Sequence, residues 1–201
     1  MLFLKLNYLA MELVFATNNA HKLEEVQQMV GNKFTLKSLA DIGCEDDIPE
    51  TGVTFQENAQ QKTDYLFNKY HINCFADDSG LEIDALNGEP GVYSARYSGS
   101  RDMEKNIDLV LEKLQNETNR KARFKTVISL YLDNEQYFFE GTVEGRIIDA
   151  RTGTEGFGYD PIFVPDGFDE TFAEMSLEQK NKISHRAKAV EKFVKFLNDT
   201  K

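Results

Sequence analysis

LVFATNNAHKLEEVQQMV, residues 13–30, is the stretch that decides the fold class. Its first part, LVFAT, is a short apolar run that reads as a buried strand, and the run stops at Asn18-Asn19. Leu23, Val26 and Val30 then recur at helical spacing. A strand that passes through a polar turn into a helix is the building unit of α/β proteins.

The segments on either side continue the alternation. Phe34 to Leu39 reads as a second strand, and the acidic loop CEDDIPETG follows at 44–52. Thr54 with Glu57 three residues on forms a capping box, and Phe55, Ala59 and Leu66 lay an apolar stripe down a helix reaching about Tyr70. NCFADDSG, residues 73–80, reads as a strand running into a tight acidic turn; LEIDAL reads as another short strand before a Gly88–Gly91 loop. Residues 102–114 have a helical pattern. Arg123 to Asp133 alternate as a strand, Asp133-Asn134-Glu135 looks like a hairpin turn, and a return strand runs from Gln136 to about Ile148. The glycine-rich GTEGFGYDP follows at 153–161, and Ser184 caps a last helix striped by Val190, Phe193, Val194 and Leu197.

With 201 residues, 41% hydrophobic and 28% charged, the chain can bury a real core as one globular unit with room for two lobes. Lys and Arg total 23 against 34 Asp and Glu, a net charge of 23 − 34 = −11, which argues against nucleic-acid binding or docking on an anionic membrane. A polyphosphate substrate would therefore need positive charge supplied locally, by a divalent cation and a few placed lysines or arginines. Cys44 and Cys74 have neither zinc-ligand spacing nor the look of a disulfide framework, and read as small core residues. MLFLKLNYLA, residues 1–10, is too short and too polar at Lys5 and Asn7 for a signal peptide; it reads as an extension before a domain over 11–201. No apolar stretch reaches the ~18 residues of a membrane span, and a cytoplasmic protein is expected.

Several short segments carry chemistry-bearing residues. Thr17 to Lys22, TNNAHK, lies between the first strand and the start of the first helix, where free N–H groups and the helix dipole favour a phosphate. Alone it reads as readily as a helix cap with a solvated lysine, and it lacks the P-loop pattern. Asp77-Asp78, followed by Ser79 and Gly80, suits a divalent cation, with Glu50 or Glu57 as a second arm; an acidic turn that stays wet is the alternative. Asn58 and Lys62 share one helix face, from which a lysine could reach over an acidic site; an ordinary surface lysine is the alternative. Phe157-Gly158-Tyr159-Asp160, ahead of Pro161, is a turn that could stack a base or simply plug the core. His185-Arg186 sit in the first turn of a helix, where the dipole disfavours positive charge; the pair either faces something electron-rich or stands there by chance.

Five blocks in order, ATNNAHK (16–22), PETGVTFQENA (49–59), FADDSGLEIDALNGEPGVYSARYSG (75–99), GTEGFGYDPIF (153–163) and KNKISHRAKA (180–189), resemble the inosine triphosphate pyrophosphatase family, the dITP/XTP diphosphatases. The match runs from Met11 to about Lys195. The resemblance implies an elongated mixed α/β sheet flanked by helices, with a cleft between two lobes, and a homodimer. It implies hydrolysis of ITP, dITP and XTP to a monophosphate and pyrophosphate, with Mg²⁺ as cofactor. By resemblance, Thr17, Asn18, Asn19, Ala20, His21 and Lys22 bind the triphosphate and Lys62 helps hold it. Asp78 is then the catalytic acid and a Mg²⁺ ligand, Glu50 is a second ligand, and Ser79 touches substrate. Phe157, Gly158, Tyr159 and Asp160, with Lys180, His185 and Arg186, bind the nucleoside and read its base. The family often has glycine where Asn18 and His21 stand, and commonly after the His-Arg pair where Ala187 stands. A Maf-like pyrophosphatase, a nucleotide sensor without turnover and, least favoured by the charge, a nucleic-acid-binding module are the rival readings.

Overall fold

The computed structural model describes residues 11–31 and 34–200, so the expected extension over 1–10 lies outside the described residues. Strands β1 (Met11–Phe15), β2 (Phe34–Lys37), β3 (Cys74–Ile83), β4 (Lys121–Leu132), β5 (Glu135–Ile147) and β6 (Phe163–Pro165) form one mixed sheet in the order β2-β1-β3-β4-β5-β6. β1 runs parallel to β2 and β3, and the remaining pairs are antiparallel. Helices α1 (Ala20–Val30), α2 (Phe55–Tyr70), α3 (Met103–Lys113), α4 (Leu177–Ile183) and α5 (His185–Asp199) complete the α/β fold.

Local chemistry accounts for the boundaries. The Thr54 side chain accepts from Glu57 N while the Glu57 carboxylate accepts from Thr54 N, so the capping box on α2 is fully made. The β4–β5 turn uses Asp133 (φ 52°) and Asn134 (φ 70°), the positive values that a two-residue hairpin matched to strand twist requires. Ser184 caps α5 by accepting from Ala187 N. Both cysteines are buried free thiols, as expected, and burial pushes Cys74 up to about 12.

Two expectations are corrected. Asp77 to Gly80 is no turn: β3 runs unbroken through it, paired with β4 from Cys74↔Tyr131 to Ile83↔Ala122. The two acids tolerate a strand interior because side chains from α1, α2 and α5 meet them there in place of water. LEIDAL accordingly splits, with Leu81–Ile83 ending β3 and Asp84–Leu86 forming a 3-10 turn. β6 and α4 had no counterpart in the sequence reading; three and seven residues carry too little periodicity to stand out.

The same strand divides the core. Phe75 belongs to a cluster with Leu13, Phe15, Val26, Ile128 and Phe193, packed under α1 and α5. Leu81 and Ile83 belong to another, with Ile107, Phe124, Ile147, Phe163 and Phe172. Ala76 joins a third, with Leu39 and Leu66 under α2. Asp77 to Gly80 are the polar break between these apolar masses, and the cleft opens there.

Candidate active site

β1 pairs with β3 only through Val14↔Cys74 and Phe15↔Phe75, and then the chain turns away into α1. Beyond Phe75 that edge of β3 has lost its strand partner, so its backbone groups must be satisfied otherwise. Lys62 Nζ donates to Asp77 O at 2.6 Å, and Leu81 N donates to Ser94 Oγ at 2.9 Å. The gap left by the missing strand is a cleft of about 500 Å³.

Strand alternation sends the two adjacent acids to opposite faces. Asp78 faces α2: Oδ2 accepts from Asn58 Nδ2 and Oδ1 from Ser79 N, both at 3.0 Å. Lys62, one helical turn after Asn58, bonds Glu50 Oε1 at 2.6 Å. Burial raises the Asp78 pKa against the pull of Lys62 and Lys22. Lys62 is held above its ordinary value because Asp78, Glu50 and Asp77 together outweigh burial. Asp77 faces α1 and α5, accepting from Lys22 Nζ at 2.9 Å, Arg186 Nε at 3.2 Å and Ser79 Oγ at 2.9 Å. Although burial opposes it, Lys22 and Arg186 hold this carboxyl far below the usual carboxylate range.

The turn before α1 makes the expected helix cap, but its lysine is not solvated: Lys22 pairs with Asp77. Asn19 Oδ1 accepts from His21 N and Lys22 N as an N-cap, and Thr17 Oγ1 accepts from Asn19 N. Thr17, Asn18, Asn19, His21 and Lys22 nevertheless line the cleft; Ala20, the first residue of α1, is not among its lining residues.

At the far end, the Phe157 ring stacks on His21, with centroids 5.2 Å apart, and lies under Lys180 Nζ and the Arg186 guanidinium. Lys180 Nζ bridges Glu25 Oε1 and Asp160 Oδ2 at 2.8 Å each, and Asp160 Oδ2 also accepts from Phe157 N. Arg186, 1% exposed, donates to Glu25, Asp77 and Ser79. That engages three of its N–H groups, and a guanidinium has about five. The His185 ring stacks on Phe124, and its Nδ1 is buried without a partner among the described residues. Burial first, and then Arg186 and Lys180, drive the His185 pKa well below 6.5, so this ring is neutral.

The structure therefore brings Lys22, Glu50, Lys62, Asp78, Ser79, Phe157, Gly158, Tyr159, Asp160, Lys180, His185 and Arg186 to one cleft. Among the described residues no group of three or more His, Cys, Asp or Glu could hold a metal by itself. Glu50 and Asp78 fit a Mg²⁺ that completes its shell with water and phosphate oxygens, since both offer hard carboxylate oxygens and such sites commonly use only one or two.

The Ham1 family model matches residues 13–196. The chain belongs to the Ham1 family. The protein named dITP/XTP pyrophosphatase from Flavobacterium johnsoniae is 54% identical over 192 residues, covering 95% of this chain and all of that one. The protein of the same name from Christiangramia forsetii is 52% identical, covering 94% and 100%. The Ham1 protein of Staphylococcus aureus superposes with a TM-score of 0.87 at 43% identity, covering 94% and 100%. The nucleoside-triphosphatase, dITP/XTP pyrophosphatase, of Mycobacterium abscessus gives 0.76 at 38% identity, covering 91% and 98%.

Two residues of this Ham1 chain, Glu25 and Gly80, escaped the sequence reading as members of the site, and Asp77 plays another part than the one read for it. Glu25 is 3% exposed on α1, a position where a mid-helix Glu ordinarily reads as solvated. Asp77 read with Asp78 as half of a cation site or of a wet turn, whereas it pairs with Lys22 and Arg186. Gly80 read as a turn residue, yet a Cβ there would lie 2.4 Å from Gly91 O and 2.6 Å from Ser94 Oγ, so it is glycine because the 91–96 turn packs directly on the strand. The break in apolar alternation at 77–80, between Phe75 and Leu81, is the one signal that would have flagged Asp77.

Proposed function

We propose that this chain hydrolyses the triphosphates of non-standard purines, ITP, dITP and XTP, to the monophosphate and pyrophosphate in a Mg²⁺-dependent reaction at the cleft. The observation that carries the reading is its near full-length likeness to relatives named dITP/XTP pyrophosphatase, in a chain whose cleft gathers two carboxylates with a row of lysines and arginines. When bound, Mg²⁺ neutralises phosphate charge and lowers the pKa of water. Lys22 and Lys62 hold the phosphates and meet the charge that develops as the α–β bond breaks. Asp78 orients the attacking water at the α-phosphorus and takes its proton at a carboxylate oxygen, a role helped by a pKa raised through burial. The nucleoside lies toward Phe157, where a buried, unpartnered His185 Nδ1 offers a hydrogen bond to a ligand. Arg186 keeps N–H groups to spare for the 6-oxo oxygen of hypoxanthine or xanthine.

No helix among the described residues is long and apolar enough to cross a membrane; a cytoplasmic placement is part of the proposal. A homodimer is the proposed assembly, and sedimentation equilibrium would read it directly. The chemistry is tested by hydrolysing ITP in ¹⁸O-labelled water with Mg²⁺ or EDTA. Expected is label confined to IMP, unlabelled pyrophosphate, and no turnover in EDTA. Label in an inorganic product, or full activity in EDTA, would overturn the corresponding part of the reading.

A further inference from the structure

Four of the six lysines and arginines lining the cleft are already paired with carboxylates: Lys22 with Asp77, Lys62 with Glu50, Lys180 with Glu25 and Asp160, and Arg186 with Glu25 and Asp77. Arg96 and Arg101 are the two for which no such pair is made among the described residues. A triphosphate carries about four negative charges, so cations not already neutralised are the ones with most to offer it.

Arg96 is held beside Glu50 by contacts of its own. Its Nη2 donates to Glu50 O at 3.4 Å, which puts the guanidinium beside the Glu50–Lys62 pair. Its guanidinium carbon lies over the Tyr93 ring at 5.4 Å, which orients it without neutralising it.

The backbone that carries Arg96 is fixed by buried groups. Asn106, 3% exposed on α3, donates to Ala95 O and accepts from Ser98 N, gripping the chain on both sides of the arginine. Ser94 Oγ donates to Gly91 O at 2.6 Å and accepts from Leu81 N, and Ser94 O accepts from the Tyr159 hydroxyl at 2.9 Å. The turn is thus bound to β3 just past Asp78 and to the Phe157–Asp160 segment at once. That rigidity suits a side chain that must meet a transferring group in one geometry.

We infer that Arg96 is a substrate-positioning residue that grips the β- and γ-phosphates, the part of the nucleotide that leaves as pyrophosphate. The inference rests on the function proposed above. A guanidinium fork pairs with two phosphate oxygens at once, which holds the leaving group in line with the incoming water.

The test compares wild type, Arg96→Ala and Arg96→Lys, reading Kd for inorganic pyrophosphate and for IMP in Mg²⁺ by calorimetry, with steady-state ITP turnover alongside. For Arg96→Ala the expected result is pyrophosphate binding weakened roughly 10- to 100-fold and IMP binding changed less than about twofold. kcat/KM for ITP should fall with it, and Arg96→Lys should recover part of both losses. Unchanged pyrophosphate affinity, or an equal loss for IMP and pyrophosphate, would overturn the inference. Wild-type protein that releases no pyrophosphate from ITP would instead defeat the proposed function, whatever the binding data show.

Discussion

Asp78→Asn is expected to lower kcat/KM for ITP by about 10³-fold or more while the melting temperature in EDTA at pH 7 stays no lower than that of wild type. The two halves of this expectation come from one fact. Asp78 is a buried carboxyl whose pKa is raised, with burial outweighing Lys62 and Lys22. A raised folded-state pKa contributes stability below the unfolded value, near 3.8, and loses it as pH climbs through the folded value. At pH 7 the ionised group is therefore kept at some cost to the fold, and an amide removes that cost. Lys62 keeps Glu50 and the Asp77 carbonyl as partners, and the Asn58 amide can reverse to suit the new neighbour. An active variant would remove Asp78 from the chemistry, whereas a fall of many degrees in melting temperature would make its activity loss merely structural.

Its neighbour should behave oppositely. Asp77→Ala is expected to destabilise the protein by about 3–5 kcal/mol at pH 7, measured by urea unfolding, because it strips a buried partner from two cations at once. Lys22 would lose the carboxylate it pairs with, and Arg186 would keep Glu25 as its carboxylate partner among the described residues. Lys22 already sits below its ordinary pKa, chiefly through burial, so further loss of partners drives it toward the neutral amine and weakens the phosphate site as well. The pH dependence has a definite sign. The Asp77 pKa is depressed in the folded protein, so its contribution is present above the unfolded value near 3.8 and lost as pH falls through the folded one. The gap between wild type and variant should therefore be widest near neutrality and shrink below about pH 4. A gap under about 1 kcal/mol at pH 7 would show that the pair is no more than a surface-like bridge.

These opposite roles explain what the sequence could and could not reveal. The strand–turn–helix of residues 13–30, the capped α2 and the β4–β5 hairpin were legible because each is set by neighbours a few positions apart: Asn19 on Lys22, Thr54 on Glu57, Asp133 on Asn134. Asn58 and Lys62 were legible as one face for the same reason. Asp77-Asp78 was misread as a turn since local rules place adjacent acids in water. What makes a strand possible there is supplied from residues 22, 58, 62 and 186, and none of those contacts is local. Glu25 was missed likewise: its burial depends on Lys180 and Arg186, about 155 and 161 residues further along the chain. Arg96 carries no local signal in the sequence, and its loop takes a fixed position over the cleft through Asn106 and Ser94.

Base choice follows from the same accounting of partners. In the proposed arrangement the N–H groups that Arg186 does not spend on Glu25, Asp77 and Ser79 would meet the 6-oxo oxygen of hypoxanthine or xanthine, while the 6-amino group of adenine would leave them unpaired. Sites of this kind reject such a mismatch by roughly 10⁴-fold. Guanine shares the 6-oxo group, and only its 2-amino group distinguishes it from hypoxanthine.

The most direct measurement is kcat/KM for pyrophosphate release from ITP, dITP, XTP, GTP and ATP under one set of Mg²⁺ conditions. The account predicts that ITP, dITP and XTP are the preferred substrates and that ATP falls behind them by at least about 10²-fold, a conservative fraction of what such a site can reach. Equal rates on all five would leave a pyrophosphatase but contradict base reading by His185 and Arg186, and absence of release from every one would contradict the account at its centre.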